Sequence, residues 1–201
     1  MRFITLGFLA SALFATAAPA DSTLLPRGYD LVPMAFELEV SLGRVEVFNG
    51  TVQEAIAQAQ ALNPDFQLPE LSLPEQEPLN APERRELQRR VQVKFCYNWD
   101  GAERAAIYQG IYYLRSLSGT PTLGPGPGKC ARVSCSYNSA IIWCNDNTVS
   151  KTITWDGMAN SAKRITEICG WGLNPYNNRY YTSGQNFEDS NWNTLIKKES
   201  C

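Results

Sequence analysis

The residues with the most reactive chemistry are six cysteines, Cys96, Cys130, Cys135, Cys144, Cys169 and Cys201, all after residue 90. An even count confined to one small region reads as a disulfide framework formed in an oxidising compartment. Six cysteines allow fifteen pairings, and sequence does not choose among them. There is no Cys-x-x-Cys pair and no histidine. Neither a metal site nor a Ser-His-Asp or Cys-His centre is therefore expected. Cysteines joined in bridges supply no thiolate nucleophile. Carboxylate-pair chemistry of the glycosidase kind remains open. Its candidates after residue 90 are Asp100, Glu103, Asp146, Asp156, Glu167, Glu188, Asp189 and Glu199. Asp100, Glu103 and Asp156 are spaced for helix capping, Asp146 for a turn, and Glu188-Asp189 for a solvated loop. Catalysis is not expected on this count, and no cofactor is called for.

Aromatic residues give the stronger signal. All five tryptophans and eight of the nine tyrosines follow residue 90. Between Trp171 and Gly184, rings are interleaved with Asn174, Asn177, Asn178 and Arg179. Rings beside amides and a guanidinium suit a sugar face or a protein partner, because aromatics and Arg concentrate in binding hot spots. Trp171, Tyr176, Arg179, Tyr180 and Tyr181 are the candidate binding residues, on a segment that reads as a loop. Trp143 and Trp192 read as core. The stripe Tyr108, Tyr112 and Arg115 reads as packing.

The elements that must hold these residues follow from periodicity. Val91, Val93 and Phe95 alternate with polar residues, giving a strand into Cys96. Asp100 and Glu103 have capping-box spacing ahead of a helix in which Ile107, Ile111 and Leu114 recur. Pro121 to Gly128 is a Pro/Gly loop. Ala131–Tyr137 and Ala140–Cys144 read as strands about a turn at Asn138-Ser139. Asp156 is placed to cap a second helix with Met158, Ala162, Ile165 and Cys169 on one face. Trp192–Lys198 is the last strand. The expected fold is α+β: a split βαβ order, strand-helix-strand-strand-helix-strand, with two helices on one face of an antiparallel sheet. Following that chain up and down puts Cys96, Cys135 and Cys169 at one end and Cys130, Cys144 and Cys201 at the other. Local pairing of all six then fails, so one bridge must cross or an element boundary must move.

The front of the chain differs in charge. Residues 21–90 carry six arginines against twelve acids, whereas residues 91–201 carry eleven basic residues against eight acidic ones. A mildly basic back half with no Lys/Arg stripe does not suit nucleic acid. Residues 1–20 read as a signal peptide: Arg2, an uncharged apolar run from Ile4 to Phe14, and small residues ending at Ala20. That run is too short for a stable membrane anchor. Phe36–Val40 and Val45–Phe48 alternate apolar and acidic residues as a hairpin, and Thr51 with Glu54 is a capping box for a helix over Val52–Leu62. Asn49-Gly50-Thr51 is an N-glycosylation sequon. Residues 63–90 form a Pro-rich acidic linker ending in Arg84-Arg85 and Arg89-Arg90. Dibasic pairs in an extended linker invite proteolysis. The arrangement resembles kexin-processed propeptides of fungal secreted proteins. It divides the chain into a signal peptide (1–20), an acidic propeptide (21–90) and a mature cysteine-rich domain (91–201), with a kexin-like protease as processing partner. Opposite net charges of the last two suggest that the propeptide silences the mature domain or assists its folding.

The segment Cys135-Ser-Tyr-Asn-Ser-Ala-Ile-Ile-Trp-Cys144-Asn-Asp-Asn147 resembles one in small secreted cysteine-rich ascomycete proteins. There too a helix and a cysteine follow, then a glycine before an Asn-Trp-Asn segment (here Gly184 and Asn191-Trp192-Asn193) and a terminal cysteine. The layout of residues 96–201 is also similar to killer-toxin-like and necrosis-inducing effector domains. The resemblance implies an extracellular setting more than a reaction. The stapled small domain, the absent histidine and the Pro/Gly-rich style add the expectation of an effector or toxin-like protein that binds an extracellular protein or glycan target rather than catalysing a reaction. The alternatives are a cell-wall or glycan-binding module and a carboxylate-dependent glycan hydrolase.

Overall fold

The computed structural model describes residues 25–69 and 93–201. The expected signal peptide with Ala20, and the arginine pairs Arg84-Arg85 and Arg89-Arg90, lie outside the described residues.

The first half folds as its periodicity predicts. Strand β1 (Asp30–Val32) precedes a hairpin of β2 (Met34–Ser41) and β3 (Arg44–Gly50). Along β2 every second residue is buried, so Met34, Phe36, Leu38 and Val40 face inward while Glu37 and Glu39 face water. Helix α1 (Val52–Leu62) starts on a complete capping box: the Glu54 amide donates to Thr51 Oγ1 at 3.3 Å, and the Thr51 amide donates to Glu54 Oε2 at 2.7 Å. Its buried residues Val52, Ala55 and Ala59 close over the hairpin.

The second half supplies β4 (Val93–Cys96), β5 (Ala102–Glu103), α2 (Arg104–Arg115), β6 (Thr122–Leu123), β7 (Lys129–Ser136), β8 (Ser139–Asn145) and β9 (Lys151–Thr152). It continues with α3 (Trp155–Ile168), β10 (Gly170–Asn174), β11 (Arg179–Thr182), β12 (Gly184–Glu188) and β13 (Trp192–Lys198). The main sheet has six strands in the order β1-β7-β8-β13-β12-β4. All its pairings are antiparallel except β1 with β7, which is parallel. Ile107, Ile111 and Leu114 of α2 and Met158, Ala162 and Ile165 of α3 pack with Val133, Ile141, Trp143 and Ile196 of the sheet. That same core takes in Phe36, Leu38, Val52 and Ala55, so the two halves share one hydrophobic interior.

The mixed helix-and-strand fold stapled by bridges is as expected, but the strand order is not the simple split arrangement. The segment read as a loop from Trp171 to Gly184 contains β10 and β11, and β12 follows at once. β12 inserts between β4 and β13, and this extra strand reverses the direction of β13. The reversal resolves the cysteine conflict. Lys198 lies opposite Ser139, which brings Cys201 to the Cys135 end of the sheet. The bridges are Cys96–Cys169, Cys130–Cys144 and Cys135–Cys201, each between neighbours, with no free cysteine. Lys197, 1 % exposed, is tolerated near this end because Glu199 takes its ammonium at 3.0 Å and Arg132 at 3.4 Å.

Two capping assignments also change. Helix α2 begins from Glu103, whose side chain makes no capping bond because Arg179 holds it, and Asp100 lies outside the helix. Helix α3 is capped by Thr154, whose Oγ1 accepts from the Gly157 amide at 3.0 Å. Asp156 sits in its first turn, where the helix dipole favours an acid, and accepts from Asn160 Nδ2 at 2.8 Å.

Candidate functional site

The interleaved rings and amides are organised by a small second sheet, ordered β10-β11-β5. Its register places Trp171 opposite Tyr181, Tyr181 opposite Glu103, and Asn174 opposite Arg179. Directly opposed residues share a face, and Arg179 lies two residues from Tyr181, so all five side chains lie on one face. The ring of Trp171 stacks on that of Tyr181 with centroids 6.2 Å apart and planes 22° from parallel. Tyr97 adds an edge contact to Trp171 at 5.2 Å and 71°. Arg179 forms an ion pair with Glu103.

Facing this sheet is the β7–β8 turn. Ser136 pairs with Ser139 across the two-residue loop Tyr137-Asn138, whose φ angles are 49° and 54°. Two positive φ values in a two-residue hairpin mark a type I′ turn, whose twist matches the flanking strands. The turn therefore lies at Tyr137-Asn138, one residue before its expected position. Ser139 Oγ accepts from the Glu103 amide at 2.9 Å, and Asn138 O accepts from the Glu199 amide at 3.1 Å. The Lys198 amide donates to Asp100 O at 2.8 Å. These bonds tie turn, β5 and the end of β13 around a cavity of about 490 Å³. Its walls carry Trp171, Tyr181 and Tyr137 as rings, and Asp100, Glu103, Asn138, Asn174, Arg179 and Lys198 as polar groups. Gly101 forms part of the wall because a Cβ there would overlap the Trp171 ring.

The candidate residues do not all meet. Trp171, Arg179 and Tyr181 line the cavity. Tyr180, the residue before Tyr181, lies on the opposite face of β11, where Arg104 stacks over its ring at 5.8 Å and over Tyr108 at 5.7 Å. Tyr176 stands at the tip of the β10–β11 turn, 96 % exposed, and lines no wall of the cavity. That turn is fixed by asparagines: Asn174 Oδ1 accepts from the Tyr176 amide at 2.9 Å, and Asn177 Nδ2 donates to Tyr181 Oη at 2.6 Å. The expectation of a loop failed here because its amides serve mostly to build a turn between two strands. Tyr137 and Lys198 were missed as site residues, and Asp100 was weighed only as a carboxylate and helix cap. The sequence reading places Tyr137 at the end of a strand, before a turn at Asn138-Ser139, so nothing in it singles out this ring for the site.

Of the eight carboxylates weighed for catalysis, Asp100 and Glu103 alone line this cavity. Asp156 faces Arg115 Nε at 3.4 Å, while Glu167 pairs with Lys163 and Glu188 with Arg164. Asp146 accepts from Asn193 Nδ2 at 2.7 Å. Asn49 is exposed on β3, whereas the sequon's Thr51 is buried with its hydroxyl donating to Glu54 Oε2 at 2.9 Å. Among the described residues, no group of three or more His, Cys, Asp or Glu is placed to hold a metal ion. No helix among them is long and apolar enough to cross a membrane. Comparison with protein-family models, curated proteins and solved structures gives no match.

Proposed function

We propose that this chain is a secreted, disulfide-stapled binding protein of the effector or toxin-like type, and that the cavity between β5, β11 and the β7–β8 turn takes a carbohydrate. The stacked pair Trp171–Tyr181 carries this reading. Two nearly parallel rings on a cavity wall offer the flat apolar surface that the C–H face of a pyranose covers. Asp100, Asn138, Asn174 and Lys198 around them supply acceptors and donors for hydroxyl groups. A pocket with an apolar platform and a few convergent polar groups is the usual form of a small-ligand site. Three disulfides, with an N-terminal sequence that reads as a signal peptide, suit work outside the cell, where polysaccharide surfaces are available. Glu103 is already held by Arg179, which favours a positioning role over proton transfer.

A glycan array followed by calorimetry on the secreted protein tests the proposal. Selective binding should appear, fall at least roughly tenfold in Trp171→Ala and Tyr181→Ala, and stay unchanged in Tyr176→Ala. Absence of binding to every glycan, or binding indifferent to Trp171→Ala, refutes it. The hydrolase alternative rests on Asp100 and Glu103 sharing the cavity. Turnover of a bound glycan that is abolished in both Asp100→Asn and Glu103→Gln would establish it in place of simple binding.

A further inference from the structure

The described part of the expected propeptide is built into the fold on three sides of strand β7. Along its edge, β1 pairs with β7 in parallel, matching Asp30 with Lys129, Leu31 with Cys130 and Val32 with Ala131. The Asp30 amide extends this pairing to Gly128 O at 2.8 Å. Gly128 has φ 75°, and a Cβ there would strike the Gly28 carbonyl, so a close backbone approach is part of the joint. On the helix side, the Phe36 ring stacks on Trp155 at 5.1 Å. Gln53 Nε2 donates to Ser134 Oγ at 2.8 Å, and Gln53 Oε1 accepts from the Cys135 amide at 3.0 Å. On the opposite face of the sheet, Leu25, Tyr29 and Leu31 pack against the cluster of Cys130, Ile142, Cys144 and Leu195.

Loss of this segment would uncover a strand edge, an indole face and an apolar patch together. Each is a recognised route to aggregation. A releasable plug has no need to meet its domain on three sides. The segment also leaves the cavity open, since no residue of 25–69 lines it. Yet all six cysteines lie between 96 and 201, so no disulfide ties the two parts.

We infer that residues 25–69 are a resident partner of the cysteine-rich domain: after cleavage at the dibasic pairs they stay bound, and the processed protein is a non-covalent two-chain complex. The cut itself is hydrolysis by a basic-specific protease. One water adds across the bond after Arg85 or Arg90, leaving a carboxylate on one fragment and a free amine on the other. The bond lies outside the described residues, and the contacts named above lie within them. This inference is independent of the carbohydrate reading.

The test takes the secreted full-length chain, digests it with a dibasic-specific protease, and compares denaturing non-reducing gels with native mass spectrometry. Two fragments should separate on the gel, while the native spectrum shows one species of their combined mass. That species should survive hundredfold dilution from micromolar concentration. Phe36→Ala should weaken association by roughly a hundredfold or more, and Tyr29→Phe, which removes only hydrogen bonds, by a few-fold. Wild-type fragments that part under native conditions overturn the inference. So does a linker that resists the protease in the folded chain, or an association that neither variant weakens.

Discussion

Phe36 lies flat against Trp155, with ring centroids 5.1 Å apart and planes 9° from parallel, although 119 positions separate them in the sequence. Phe36 is 0 % and Trp155 5 % exposed, and Trp155 Nε1 donates to Ser118 O at 3.1 Å, which fixes the indole plane. An aromatic pair of this kind adds to the ordinary burial of both rings. Phe36→Ala in the intact chain should therefore cost about 3–5 kcal/mol. Because the hairpin and the helices share one core, intrinsic fluorescence and far-ultraviolet dichroism should report a single unfolding transition, before and after the substitution. Two separated transitions in the wild-type protein would show that the halves are independent.

Gly101 gives a second prediction, aimed at the site rather than at stability. Its backbone passes under the Trp171 ring, and a Cβ there would overlap that ring and press on Tyr181 Cβ. Gly101→Ala must push Trp171 off its stack with Tyr181. The expected outcome is loss of glycan binding comparable to that of Trp171→Ala, with the main core unfolding at an unchanged denaturant midpoint. Retained binding in Gly101→Ala would argue against the stacked pair as the platform.

The parts of the fold legible in the sequence were those governed by neighbours along the chain. The β2–β3 alternation and the Thr51–Glu54 box depend on contacts within a few residues, and both elements appear where the pattern puts them. The direction of β13 depends on whether β12 exists. β12 (Gly184–Glu188) begins with a glycine and carries two amides, a poor strand signal. Its stability comes from two neighbours, β4 and β13, and from buried bonds such as Gln185 Nε2 to Asn193 Oδ1 at 2.9 Å. The site was legible by composition but not by geometry. Tyr180 and Tyr181 read as one patch, and only the pleat of β11 sends them to opposite faces.

The three bridges should differ in their response to reductant. Cys201 is exposed, whereas Cys130, Cys144 and Cys169 are 0 % exposed. Thiol attack needs access to a sulfur, so Cys135–Cys201 should open first under native conditions. Alkylation and peptide mapping at low reductant should label Cys135 and Cys201 before the other four cysteines. Opening this bridge frees a loop of 66 residues, against 14 for Cys130–Cys144. The loop-entropy argument gives about 4 and about 3 kcal/mol respectively, so the early loss should lower the unfolding midpoint clearly without unfolding the chain outright. First labelling of Cys130 and Cys144 would contradict the placement of these strands.

Tyr29 connects stability to pH. Its hydroxyl donates to Asp146 Oδ2 at 3.4 Å and accepts from Asn193 Nδ2 at 3.3 Å, closing a polar group between the N-terminal segment and the sheet. Burial pushes its pKa above the ordinary value of 10.0, and the negative charge and hydrogen bond of Asp146 push it further, against smaller opposing bonds from Asn193 and Gln185. The folded protein thus holds this proton more tightly than the unfolded chain does. Its contribution is complete below pH 10.0 and is lost as pH climbs from there through the raised folded value. In Tyr29→Phe the group cannot ionise. The stability of the variant should therefore fall less steeply than that of the wild type above that pH, although it starts lower by the lost hydrogen bonds. Thermal unfolding of both proteins across the alkaline range measures the two slopes. Parallel slopes would mean that the Tyr29 hydroxyl meets water freely and does not rest against Asp146.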